Sequence, residues 1–191
     1  MTRDQFFDTY AEWAVLSQAR SGVPASVTLA QGAIESDNGN SWLARNANNY
    51  FGIQCHGFGN CVQRTDKDAA GNPYPASFRK YNSVYDSFID HADFLVGQNR
   101  YNDCFKNTNY RDWAYCLKSS GYAESTTYAT DLINIIEQYG LDRYDVQGNE
   151  QMGEFTNTVI RNRKQIVIIG SVVLVLLIFL WIAFKKIIGN K

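Results

Sequence analysis

The chain has 191 residues, with 18 Lys and Arg against 19 Asp and Glu, for a formal net charge of −1. That balance, with no basic stripe in the globular part, excludes the electrostatic footprint of a nucleic-acid partner. The length suits one domain that buries its own core plus an appendage, and the 12 Tyr, 11 Phe and 4 Trp supply rings that fill such a core or face the apolar side of a sugar.

In chain order, residues 4–20 predict an amphipathic helix with Phe6, Tyr10, Trp13, Ala14 and Leu16 near one face and Gly22 as its stop. Pro24 opens a second helix at a first-turn position; it carries Gln31 and Glu35, and Gly39 closes it. Ser41 caps a short turn through Trp42, Leu43 and Ala44. Between 54 and 80 the glycines at 57, 59 and 71, with Asn72, Pro73 and Pro75, punctuate short β-prone pieces and predict a small irregular β lobe or long loop. Ser83 and Asp86 read as a capping-box variant ahead of a helix over 84–101. Further helices fit 110–119 and 126–139, the last with Leu132, Ile133, Ile136 and Tyr139 inward and Gly140 as its stop.

Residues 146–165 are polar and read as a tether, or a helix leading onward. Residues 166–184 contain no charge and at about 1.5 Å per residue reach roughly 28 Å, close to the hydrocarbon thickness of a bilayer. Arg161, Arg163 and Lys164 flank one end, Lys185 and Lys186 the other, and Trp181 lies near the interface; the segment predicts a transmembrane helix ahead of a short basic tail, 185–191. Residues 1–7 lack the hydrophobic run and cleavage site of a secretory signal. The expectation is a single-pass C-terminal anchor, in a bacterial inner membrane or the internal membrane of a virus particle, with the facing of the domain open.

The chemistry concentrates in residues 30–53. A carboxylate at the C-terminal end of an apolar helix faces the negative pole of the helix dipole beside Ala33 and Ile34, and both effects raise the pKa of Glu35. That is the state a general acid for glycosidic cleavage needs. Gln31-x-x-x-Glu35-Ser36 followed by Asn48-Asn49-Tyr50-Phe51-Gly52-Ile53 resembles the glucosaminidase family of peptidoglycan hydrolases, glycoside hydrolase family 73. Phe78 to Ser83, Ser87-Phe88-x-x-His91-x-x-Phe94-Leu95, Gly121-Tyr122-Ala123 and Tyr128-Ala129-x-x-Leu132-Ile133 extend the resemblance over residues 3 to 145. It implies a mostly α, lysozyme-like catalytic domain over 1–145, peptidoglycan glycan strands as substrate, cleavage of the β-1,4 bond after N-acetylglucosamine, and no cofactor or metal.

Glu35 is the expected acid, with Gln31 one turn earlier to hydrogen-bond the carboxyl or the sugar. The second carboxylate is open between Asp68 and Asp66 of the β lobe; the substrate's own N-acetyl group is the alternative nucleophile. Tyr122 matches the tyrosine of the family's Gly-Tyr-Ala-Thr-Asp segment, but Glu124 and Ser125 replace the Thr-Asp pair, which puts any role of that aspartate in doubt. Asn49 and Phe51 are expected to shape the sugar cleft, Tyr50 to offer a stacking surface and Trp42 to line the groove. Cys55 with Cys61 and Cys104 with Cys116 are spaced for local disulfides in an oxidising compartment, with zinc beside His56 or free thiols as the alternatives. A muramidase or lytic transglycosylase on the same scaffold, or a glycan-binding protein without turnover, are the competing functions.

Overall fold

The computed structural model of the chain describes residues 1–67 and 70–154. Asp68, most of the expected tether, the expected membrane span and the basic tail lie outside the described residues. Among the described residues no helix is long and apolar enough to cross a membrane.

Among the described residues, α-helices and one β-hairpin follow each other in the order α1 (Arg3–Ser21), α2 (Ala25–Glu35), α3 (Trp42–Ala47), β1 (Cys61–Lys67), β2 (Pro73–Arg79), α4 (Val84–Gly97), α5 (Tyr110–Ser119) and α6 (Tyr128–Tyr139), ahead of a helical stretch over 143–154. Short 3-10 turns at Asn99–Tyr101 and Cys104–Lys106 join α4 to α5. Met1–Met152 form one compact unit, and residues 143–152, expected in part as tether, are helical within it.

The helix ends follow from local chemistry. Thr2 and Gln5 cap α1 reciprocally, Ser83 and Asp86 do the same for α4, and Gly22 and Gly140 stop α1 and α6 in the left-handed conformation. Helix α4 ends at Gly97 rather than at 101, because Gln98 turns extended (φ −106°, ψ 111°) before the 3-10 turn. Leu16, expected inward, is 39% exposed; the buried face of α1 carries Phe6, Phe7, Tyr10, Ala11, Ala14 and Val15 instead.

Helix α2 lies at the centre, packed against α1, α5 and α6, with every residue from Ala25 to Ala33 buried. Its small residues permit this approach: a Cβ added at Gly32 would meet the Phe6 ring at 3.1 Å and the Phe51 ring at 3.4 Å. A helix so enclosed cannot use water to satisfy its N-terminal amides. Pro24 offers no side-chain cap, and remote groups take over: Gln18 Oε1 accepts from the Ala25 amide (2.7 Å), Asp145 Oδ1 from the Ser26 amide (2.8 Å) and Asp145 Oδ2 from the Ser26 hydroxyl (2.7 Å).

The β lobe is more regular than its glycines and prolines suggest. β1 and β2 pair antiparallel from Cys61↔Arg79 to Lys67↔Pro73. The outer edge of β2 pairs with residues 53–55 only near Ser77–Arg79, and no pairing is seen there among the described residues at Pro73 and Pro75, which need donate no ladder bond. Disulfides join Cys55 to Cys61 at the foot of this hairpin and Cys104 to Cys116 between a 3-10 turn and α5. Sulfurs so bonded are not available as thiolate ligands.

Candidate active site

Glu35 is the last residue of α2, and the chain turns sharply after it. The Ser36 hydroxyl donates to the Gly32 carbonyl (2.5 Å) and accepts from the Gly39 amide (2.7 Å), closing the helix. Asp37, Asn38 and Gly39 then take left-handed backbone (φ 51°, 52° and 77°), a conformation that Asp, Asn and Gly tolerate better than other residues. Glu35 is thereby left at the helix end on the wall of a cavity of about 320 Å³.

Phe51, Gly52, Ile53, Gln54 and His56 form one side of this cleft; Phe94, Arg100, Tyr101 and Tyr122 form another. Glu35 is open to the water of the cleft yet sits deep in it, and the surrounding protein raises its pKa from the ordinary 4.5 to about 7 by desolvation. Among the described residues no hydrogen-bond donor or cation offsets that cost, and the helix dipole acts in the same direction. The carboxyl is therefore substantially protonated at neutral pH.

Tyr122 is held by the turn that ends α5. Its amide donates to the Leu117 carbonyl (3.0 Å), Gly121 adopts φ 73°, and Lys118 Nζ donates to the carbonyls of Ala123 and Glu124 (3.1 and 3.0 Å). The ring stacks on Tyr128 (5.5 Å between centroids, 22° between planes). Burial raises both phenols' pKa, and the Glu35 charge adds to it, so both remain neutral hydrogen-bonding groups in the field of the carboxylate. Gln31 is fully buried and its Nε2 donates to the Tyr128 hydroxyl (2.8 Å); it supports the tyrosine behind the acid rather than bonding the carboxyl.

The Asn-Asn-Tyr-Phe-Gly-Ile turn is tied to its surroundings by its asparagines. Asn49 Nδ2 donates to the carbonyls of Ile53 (3.0 Å) and Arg79 (2.9 Å), Oδ1 accepts from the Ile53 amide (3.1 Å), and Asn48 Nδ2 donates to the Tyr81 carbonyl (3.1 Å). Asn49 is buried and shapes the cleft wall through the backbone. Phe51 reaches the cleft and stacks flat on His91 (4.0 Å, 13°). His91 is fully buried, neither ring nitrogen has a hydrogen-bond partner, and burial lowers its pKa from 6.5 to about 3, so it acts as a neutral plate between Phe51 and the edge of Tyr122.

Tyr50 is corrected: it offers no stacking surface to a sugar. It is 5% exposed, its hydroxyl bonds that of Tyr10 (2.8 Å), and its ring packs with Phe6, Tyr10 and Phe88 and against Gly39. Trp42 is exposed but does not line the Glu35 cavity; the Arg64 guanidinium lies over its ring at 4.5 Å, joining α3 to β1. Asp66 stands on β1 opposite Tyr74, whose hydroxyl donates to it (3.2 Å), and does not line the cavity either. Gln54, His56, Phe94, Arg100 and Tyr101 line it without having been singled out as cleft residues, because they come from loops and helix ends where no periodicity marks a side chain as facing a site.

The model of the glucosaminidase family, described as mannosyl-glycoprotein endo-beta-N-acetylglucosaminidase, matches residues 11–141. The chain is 36% identical over 148 residues to the exo-glucosaminidase LytG of Bacillus subtilis, covering 73% of this chain and 52% of LytG. It is 30% identical over 134 residues to the peptidoglycan hydrolase FlgJ of Escherichia coli K12, covering 65% of this chain and 43% of FlgJ. It thus spans about half the length, or less, of these curated relatives. The catalytic domain of the autolysin Auto from Listeria monocytogenes superposes with a TM-score of 0.66 at 28% identity, over 75% of this chain and 87% of that one. The glycoside hydrolase domain of Salmonella typhimurium FlgJ does so with a TM-score of 0.62 at 25% identity, over 85% and 99%. With its mostly helical lysozyme-like fold, its two-stranded sheet and a model match over most of its length, the chain belongs to the glucosaminidase family.

Proposed function

We propose that the protein is a membrane-anchored peptidoglycan hydrolase that cuts glycan strands internally at the β-1,4 bond after N-acetylglucosamine. The observation that carries this reading is Glu35: a carboxyl whose pKa desolvation raises to about 7, in a cleft, at the end of the central helix of a glucosaminidase-family chain. Glu35 gives its proton to the glycosidic oxygen as the bond to the anomeric carbon breaks. Tyr122, the phenol on the facing wall, orients the substrate's acetamido group, whose carbonyl oxygen closes on the anomeric carbon as a cyclic oxazolinium ion. The Glu35 carboxylate then takes a proton from the water that opens the ring, which restores the acid and retains configuration.

Glu35 is the one carboxylate lining the cleft among the described residues, and Asp66 of the hairpin does not line it; the substrate-assisted route needs no second carboxylate. The two disulfides support a domain that works in an oxidising compartment, on the wall side of a bacterial inner membrane or in a virus particle with an internal membrane, held by residues 166–184. Wall remodelling, lysis and virus entry are all served by such an enzyme.

The test digests peptidoglycan with the full-length chain in mild detergent, reduces the new ends with borohydride and identifies them by mass spectrometry. Reduced N-acetylglucosamine on long fragments, absent with Glu35→Gln, is the expected result. Reduced or anhydro N-acetylmuramic acid would move the protein to the muramidases or transglycosylases, and binding without cleavage to the glycan-binding proteins. Release of disaccharide from strand ends alone would indicate an exo-acting enzyme, as the name of the Bacillus relative states for that protein. Anchoring is checked by resistance of the full chain, but not of a chain lacking 166–184, to alkaline carbonate extraction.

A further inference from the structure

Arg100 lines the same cleft as Glu35 and has no partner that accounts for its charge. It stands in the 3-10 turn Asn99–Tyr101, immediately beyond α4, with its side chain exposed. Its guanidinium lies over the Tyr101 ring at 4.7 Å, and Nη1 donates one long hydrogen bond (3.4 Å) to the carbonyl of Gly121, the residue before Tyr122. The Tyr101 phenol is the other polar group that meets the guanidinium, and no carboxylate pairs with Arg100 among the described residues; the ion pairs there are made by Arg20, Arg79, Lys106 and Arg111. The side chain is thus held in place by a phenol and a carbonyl, while its positive charge is left for something else.

The acid is undisturbed by this cation, since desolvation alone sets the ionisation of Glu35. Arg100 and Glu35 line the wall of the same cavity. A ligand that spans the cavity meets a proton donor at one place and a fixed positive charge at another.

In a glycan of alternating N-acetylglucosamine and N-acetylmuramic acid, only the muramic acid carries acidic groups. Its lactyl ether ends in a carboxylate where the stem peptide has been removed, and in a peptide bearing carboxylates where it has not. We propose that Arg100 binds a carboxylate on the muramic-acid side of the substrate and so selects peptidoglycan over uncharged polymers of N-acetylglucosamine. The inference rests on peptidoglycan being the substrate, and names the residue that recognises it.

The experiment measures kcat/KM of the full-length chain and of Arg100→Gln and Arg100→Lys on two substrates, peptide-bearing sacculi and glycan strands stripped of peptide by an amidase. Each substrate is used before and after carbodiimide amidation, which converts its carboxylates to neutral amides. On the native substrate Arg100→Gln is expected to lose about tenfold, the scale of one charge-assisted contact, through KM rather than kcat. Arg100→Lys recovers part of the loss, and on the amidated substrate the original chain and Arg100→Gln become equal. A loss confined to stripped strands assigns the lactyl carboxylate, and one confined to sacculi a stem carboxylate. An unchanged Arg100→Gln, or an equal loss on native and amidated forms, overturns the proposal. If the unsubstituted chain cleaves neither native substrate, the hydrolase reading itself fails, an outcome distinct from the other two.

Discussion

At the scale of single residues, Glu35, the proposed acid, is expected to govern both activity and its pH dependence. Replacing it by Gln removes the transferable proton, and kcat is expected to fall by about 10²- to 10⁴-fold. Because the protonated form is the active acid, kcat/KM should decline as pH rises through about 7, and the residual activity of Glu35→Gln should lack that alkaline limb. The stability effect has the opposite sign. Folding raises this pKa, so the folded state is favoured by protonation; the advantage is complete below about 4.5 and lost as pH rises through about 7. Gln cannot ionise and escapes the loss. Glu35→Gln should match the original chain in urea unfolding at pH 4 and exceed it at pH 8 by about 1 kcal/mol, after allowance for the face of the carboxyl that meets water.

Glu35 was legible in the sequence because helix register, a following break and apolar neighbours are local signals. Tyr50 was misread for a related reason: an aromatic in a polar turn looks exposed, and only the approach of Gly39 and Tyr10 from elsewhere in the chain buries it. Arg100 gave no signal, since its meaning comes from Gly121 and Tyr122, about twenty residues away.

Among the elements, α2 shows most plainly where sequence patterning stops. Its apolar run, its start at Pro24 and its end could be read, but not the groups that satisfy its first amides, which lie at Gln18 and, 119 residues downstream of Ser26, at Asp145. Asp145 is largely buried, and its carboxylate replaces water for the Ser26 amide and hydroxyl. Asp145→Ala strands both donors and is expected to cost about 2 kcal/mol in urea unfolding, with Asp145→Asn costing less. The capping box of α4 was visible because its two members are three residues apart. The hairpin was underrated since Pro73 and Pro75 argue against a strand only where both edges are paired, and the outer edge of β2 is paired only near Ser77–Arg79.

For the whole molecule, the disulfides bear on stability and on compartment together. Cys104–Cys116 closes a loop of twelve residues and ties the turn after α4 to α5. Replacing both cysteines by Ser should lower unfolding stability by about 2 to 3 kcal/mol, and thiol reductant should lower the melting temperature of the original chain but not that of the variant beyond the share of Cys55–Cys61. A domain that depends on these bonds is expected to accumulate folded only where they form, which trypsin resistance of protein made in oxidising and reducing cell extracts would register.

The helical stretch 143–152 does more than end the compact unit. Gln18 Nε2 donates both to the Asp145 carbonyl and to Asn149 Oδ1 (each 2.9 Å), while Gln18 Oε1 and the Asp145 carboxylate hold the first amides of α2. These hydrogen bonds tie residues 145–149 to the start of α2, so a mechanical load on the chain beyond Met152 bears on them. They seat the end of α2 roughly 16 Å from the acid, the length of eleven helical residues. Tension from the proposed anchor is expected to act on the N-terminal footing of the helix that ends in Glu35.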